Sequence, residues 1–294
     1  MNKCPTFFIV GVEKCGTTSL YEYLKKIPEI FMSPKKEPWY FSPVVRDIAH
    51  IPNKIKDEKS YLRLFNNVKN ETAIGEASAV YWRDPEAPKL IQEKIPHAKI
   101  IISLRDPVDR YFSGYLMEFL TGLNKKSIHE SIQNRLNNKF TLKSTRLKKE
   151  SSFLYYDNVK RYLDIFGKDN VLILIFEEWI KNPKKALGDI LEFLKIDSSV
   201  KNFDDIKFDS YNVGWVPKGK LLSKILSSKI VISLSRKPLL KSSRHFIEKK
   251  IINNNTNKKL DDKDKQLLIK FFYIDVKKLE KLFGKQLPWP NFKD

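Results

Sequence analysis

Cysteine is nearly absent: Cys4 and Cys15 are the two in 294 residues. That excludes a disulfide framework, and a reducing cytoplasm is the expected setting. Histidine is also scarce, with four scattered residues and no metal-ligand spacing, so no metal is expected. No apolar run approaches the roughly 20 residues that a membrane-spanning helix needs. The first residues lead directly into a strand-like run, so no signal peptide is expected either. Internal repeats are missing.

What is present suffices for a folded enzyme-sized unit. Hydrophobic residues make up 41% of the chain and aromatics 12%, ample for a core. The formal net charge is +20. Such an excess suits an anionic cofactor, a polyanionic acceptor, nucleic acid or an acidic membrane face. The abundance of Lys, Asn and Ile makes a general composition bias an equal explanation.

Apolar runs at 7–10, 72–75, 98–104 and 170–176 read as strands. Amphipathic patterns at 17–27, 85–94, 107–121, 153–166 and 183–194 read as helices between them. The alternation predicts an α/β fold with a doubly wound parallel sheet and helices on both faces. Ligands of such sheets bind beyond the carboxyl ends of the strands, so residues 11–18, Glu76 and Arg105 should meet in one crevice. The stretch 134–150 is basic and polar, a mobile loop or an insertion. A run at 253–259 links to a last helix at about 260–283, expected to be a structural closing element.

The stretch "FFIVGVEKCGTTSL" at 7–20 carries the sharpest local signal. Gly11 and Gly16 have the spacing of a phosphate-binding P-loop, in which a lysine would follow the second glycine. Here Thr17 and Thr18 follow, and Lys14 lies between the glycines. The loop still makes sense as an anion cradle: glycines allow the tight turn, and the new helix points its first N–H groups at the bound anion. Glu13 would repel an anion there, so it should point outward or pair with a lysine.

Three further segments sharpen the picture: "SPKKEPWYFS" (33–42) packs two lysines, a glutamate and three aromatics between prolines, while "IGEASAVYW" (74–82) and "LRDPVDRYFSGY" (104–115) put Glu76 and Arg105 at expected strand ends. With "KCGTTSL" at 14–20, "FEEWIKNPKKALGDILEFLKI" at 176–196 and "LEKLFGKQLPW" at 279–289, the chain resembles the sulfotransferases that use 3′-phosphoadenosine 5′-phosphosulfate (PAPS), in particular the bacterial and heparan-sulfate-type branches. The similarity covers nearly the whole chain and implies a single sulfotransferase domain over 1–294.

The resemblance also implies roles. Lys14, Cys15, Gly16, Thr17, Thr18 and Ser19 would hold the 5′-phosphosulfate of PAPS, with Lys14 at the oxygen bridging phosphorus and sulfur. Arg105 and Ser113 would grip the 3′-phosphate, joined by Lys218, Gly219 and Lys220 of a basic loop. Glu37 would be the general base, held extended by the following Pro38. Glu76 would be a second catalytic carboxylate, orienting the acceptor or Lys14. Where heparan-type enzymes often follow this glutamate with lysine, the chain has Ala77. Among the histidines only His50 stays as an alternative base. The chemistry requires no metal, and the acceptor is expected to be a hydroxyl, less often an amine, of a carbohydrate or lipid-linked molecule. Peripheral contact with a membrane or polyanion fits the charge. A P-loop kinase and a non-catalytic polyanion or nucleic-acid binder are the competing classes, though no nucleic acid is expected as partner.

Overall fold

The computed structural model describes residues 3–46, 55–120, 123–137, 153–197, 203, 206–208 and 260–293. Five strands form its sheet: β1 (Phe7–Gly11), β2 (Ile30–Met32), β3 (Ala73–Ala77), β4 (Lys99–Leu104) and β5 (Val171–Ile175), in the order β2-β3-β1-β4-β5. Every pairing is parallel, with Phe8 opposite Glu76 on one side of β1 and Ile100 on the other. The strands are near-continuous apolar runs because both faces are covered. Side chains alternate across the sheet. Phe7, Ile9, Ile101 and Leu174 pack with Leu20 and Leu24 of α1 (Thr17–Leu24). Phe8, Val10, Ile100 and Ile102 belong to the core on the other face.

Between β2 and β3 lie α2 (Pro43–Arg46) and α3 (Glu58–Leu62), and α4 (Ala87–Lys94) leads to β4. Then come α5 (Pro107–Leu120), α6 (Ile128–Leu136) and α7 (Tyr156–Phe166) before β5. After it follow the single turn α8 (Phe176–Trp179), α9 (Pro183–Phe193) and α10 (Asp262–Phe283). Leu187, Ile190 and Leu191 of α9 join α1 on one face. Ile91 of α4, Val159 and Tyr162 of α7, and Leu268, Phe272, Val276 and Leu279 of α10 join the other. The fold is the expected doubly wound α/β sheet.

The chain leaves β1 toward β2 and β3 on one side and later fills β4 and β5 on the other. The strand order therefore reverses at β1, which places a crevice at its carboxyl end. The closing role expected of α10 has a concrete form. Its Asp275 accepts hydrogen bonds from the N–H groups of Tyr155 (2.6 Å) and Tyr156 (3.0 Å), capping the positive end of α7. Several short elements were not anticipated, among them β2, α2, α3 and α8, each five residues or fewer.

Candidate functional site

Gly11, at the end of β1, opens the loop. Val12 N–H donates to the Ser103 carbonyl of β4 (3.0 Å), so the loop lies across the ends of two neighbouring strands. Lys14 and Gly16 both adopt left-handed backbone, φ 71° and 79°, which turns the chain into α1. Gly16 is required twice over. Its φ favours glycine, and a Cβ there would lie 2.3 Å from the Trp179 ring. That ring is itself fixed: Trp179 Nε1–H donates to Ser103 Oγ (2.9 Å), and the Ser103 hydroxyl donates to the Cys15 carbonyl (2.7 Å). The first hydrogen bond of the helix runs from Leu20 N–H to the Gly16 carbonyl (3.1 Å). Thr17, Thr18 and Ser19 thus form the first turn, whose amides face the loop.

Cys15 does not fit the donor-holding role expected of it. Its thiol is fully buried, 3.9 Å from Tyr155 Oη, and burial pushes its pKa up to about 12. Its N–H donates to the Val12 carbonyl and its own carbonyl accepts from Ser103. Cys15 is the floor of the loop rather than its lining.

Arg105 follows β4 and donates from Nη1 to the Lys14 carbonyl (3.3 Å), with its guanidinium 4.9 Å from the Phe176 ring centre. Arg105 Nε is buried with no hydrogen-bond partner among the described residues. Burial and then the Arg105 charge push the Lys14 pKa below the usual lysine value. Neither cation forms an ion pair with a carboxylate among the described residues. Two partly buried cations held together with no countercharge among the described residues form a site that an anion completes. Glu13 is drawn off toward Arg83 (Oε1 to Nε, 3.5 Å); an arginine stands where a lysine was expected.

Glu37 sits at the end of β3, adjacent to β1. Its N–H donates to the Ala77 carbonyl (2.8 Å). Its carboxylate accepts from Lys36 Nζ (2.7 Å), Trp39 Nε1 (2.8 Å) and the Ala79 N–H (3.0 and 3.2 Å to its two oxygens). The extended conformation expected from Pro38 is not found: Glu37 has φ 62° and Trp39 φ 59°. A following proline disfavours right-handed helix and favours extended backbone, so the left-handed turn is held by the bonds Glu37 makes to Ala77 and Ala79. Left-handed backbone at three non-glycine residues, Lys14, Glu37 and Trp39, gathers strain at the crevice.

Glu76 departs furthest from its expected role. It points into the core at 0% exposure, where its Oε2 accepts from Tyr61 Oη (2.6 Å) and Tyr81 Oη (3.2 Å). Buried there, it pairs with these two tyrosines and not with Lys14. Burial pushes its pKa up to about 7, against the opposing pull of the Tyr61 hydroxyl. A carboxyl that binds its proton more tightly when folded stabilises the protein most below its unfolded pKa, near 4.5. That contribution falls as pH rises through 7. Chemical denaturation between pH 4.5 and 7.5 should show wild type losing roughly 2–4 kcal/mol relative to Glu76→Gln. Parallel pH profiles of the two proteins would reject the shift.

Ser113 lies partly exposed on α5. Lys218, Gly219, Lys220 and His50 fall outside the described residues. His97 is exposed, and His129 Nδ1 pairs with Asp264 Oδ1 (2.6 Å), tying α6 to α10. The sequence did not single out Arg110, Tyr155 or Glu177. Arg110 donates from Nη1 to the Phe153 carbonyl (3.1 Å), and Tyr155 Oη–H donates to the Arg105 carbonyl (2.8 Å). Glu177 accepts from Asp106 N–H (2.9 Å) and Trp289 Nε1 (3.1 Å), while Asn291 donates to Asp106 (2.8 Å). The "FEEW" and "LPW" motifs thus brace the turn that carries Arg105.

Comparison with known proteins shows the family and the fold. The family model described as "Sulfotransferase domain" matches residues 5–265. Carbohydrate sulfotransferase 15 of Mus musculus is 29% identical over 247 residues, covering 65% of this chain and 44% of that protein. The bifunctional heparan sulfate N-deacetylase/N-sulfotransferase 3 of Homo sapiens is 27% identical over 219 residues, 73% of this chain and 25% of that protein. The chain thus spans less than half the length of these relatives. A sulfotransferase from Alicyclobacillus acidocaldarius superposes with TM-score 0.71 at 29% identity, covering 97% of this chain and 98% of its own. Mouse sulfotransferase SULT7A1, solved with PAP, shares the fold at TM-score 0.52 and 16% identity, covering 95% of this chain and 88% of its own.

Proposed function

We propose that this chain, which belongs to the sulfotransferase domain family, is an enzyme moving a sulfonate group from PAPS to a hydroxyl of a carbohydrate acceptor. The observation that carries the donor assignment is the cation pair Lys14 and Arg105, without a carboxylate partner among the described residues, at the reversal of strand order. The loop from Lys14 to Ser19 receives the 5′-phosphosulfate, and Arg105 with Ser113 takes the 3′-phosphate. Lys14 neutralises the bridging oxygen as its bond to sulfur breaks. Glu37 takes the proton of the attacking hydroxyl.

Glu37 now spends its carboxylate on Lys36, Trp39 and Ala79. Of these donors only Lys36 sits on a long flexible side chain. The acceptor hydroxyl therefore replaces the Lys36 ammonium at Oε1 when the complex forms. A carbohydrate acceptor is supported by the named activities of the relatives. A chain with so little cysteine fits a reducing, cytoplasmic setting.

PAP, the donor stripped of its sulfonate, tests the site without an acceptor. A ligand that binds the folded state raises its melting temperature. PAP at 100 times its Kd should add about 2.7 kcal/mol of apparent stability, and ATP with magnesium far less. Equal or greater stabilisation by ATP would overturn the donor assignment in favour of a kinase.

A further inference from the structure

Beneath Glu37 lies a buried polar relay that the transfer chemistry does not use. A phenol has one proton to donate. Tyr81 Oη directs it to Glu76 Oε2 (3.2 Å) and, with a lone pair so freed, accepts the N–H of Phe41 (3.2 Å). Tyr61 Oη donates to the same carboxylate oxygen (2.6 Å), while the buried Glu76 Oε1 has no hydrogen-bond partner among the described residues. The amide of Phe41 is the third of a series. Glu37 N–H reaches the Ala77 carbonyl (2.8 Å) and Trp39 N–H reaches Ser78 Oγ (3.3 Å). Alternate amides of the segment carrying Glu37 are thus fastened to residues 77–81. The left-handed residues Glu37 and Trp39 lie within it, a conformation that persists only where the surroundings hold it.

We propose that Glu76 is a positioning residue. By accepting both tyrosine protons at one oxygen it fixes Tyr81 as the acceptor for Phe41 N–H, and so locks the turn that aims Glu37. Glu76 itself touches no substrate. The proposal rests on Glu37 as the base of the transfer.

Glu76→Leu removes the acceptor oxygen, and Tyr81→Phe removes the relay while keeping the ring. Glu76→Gln can keep an oxygen at the Oε2 position, with its NH2 group at the Oε1 position. Turnover of a sugar acceptor should fall about 10- to 100-fold in Tyr81→Phe and Glu76→Leu, the scale of a misaimed catalytic group. The KM for PAPS should stay within about twofold, and the double variant should be no worse than either single one. Glu76→Gln should recover most of the turnover lost in Glu76→Leu. Hydrogen exchange in the PAP-bound protein should quicken at the amides of 39–42 in Tyr81→Phe. Unchanged exchange there would overturn the positioning role, as would faster exchange with undiminished turnover. A Glu76→Gln protein no better than Glu76→Leu would overturn it too. If wild type binds PAP yet transfers no sulfonate, the functional assignment fails alone, because the exchange arm still decides the relay.

Discussion

Replacing Glu37 by glutamine is expected to lower turnover by about 10²–10⁴, the range for loss of a general base, while PAP still stabilises the protein. The carboxylate sits where two adjacent strands end, one bearing Ala77 and the other leading to the Lys14 loop. An in-line transfer needs the base on one side of sulfur and the cation at the leaving oxygen on the other. Glutamine cannot receive the proton. It also changes the local hydrogen bonding, because its NH2 group must meet either Lys36 or the Trp39 indole, both donors. That mismatch costs about 1–3 kcal/mol of stability. A control separates the two effects: Trp39→Phe removes one donor and leaves the carboxylate, so its turnover should fall far less. A Glu37→Gln enzyme with near-normal turnover would disprove the base assignment. One that no longer bound PAP would make Glu37 a scaffold residue.

The sheet was legible because parallel strands covered on both faces write themselves as apolar runs. Ile30–Met32 escaped because three residues between Pro28 and Pro34 carry no period. Lys14 and Gly16 could be read from glycine spacing, since the turn geometry is local. The fate of Cys15 could not. It lies between two left-handed residues, and its orientation follows from contacts with Ser103 and Tyr155, far along the chain.

Glu76 was misplaced for a related reason. Read as the residue after a strand, it should face the crevice; β3 in fact continues to Ala77, so alternation turns Glu76 onto the covered face with Phe8. The proline rule pointed to extended backbone at Glu37, and the left-handed turn found there departs from it. Long-range bonds to Ala77, Ser78 and Tyr81 hold that turn.

Removing the Lys14 ammonium should separate catalysis from stability in opposite directions. Lys14→Ala is expected to lower turnover by about 10²–10³, the scale for losing one group that stabilises transition-state charge. The unliganded protein should meanwhile be as stable or more so. Burial and Arg105 depress the Lys14 pKa, so its charge is disfavoured in the folded state and detracts from stability at neutral pH. Lys14→Arg should rescue only in part, because a planar fork cannot occupy the same point as an ammonium. The left-handed backbone at φ 71° introduces a further variable, which Lys14→Gly controls. Glycine relieves the strain and equally lacks the charge. Equal losses in the alanine and glycine variants would place the effect on the ammonium. Recovery of turnover in Lys14→Gly would place it on the backbone instead. A Lys14→Ala enzyme with full turnover and weaker donor binding would show that the lysine only holds the phosphosulfate and does not assist its departure.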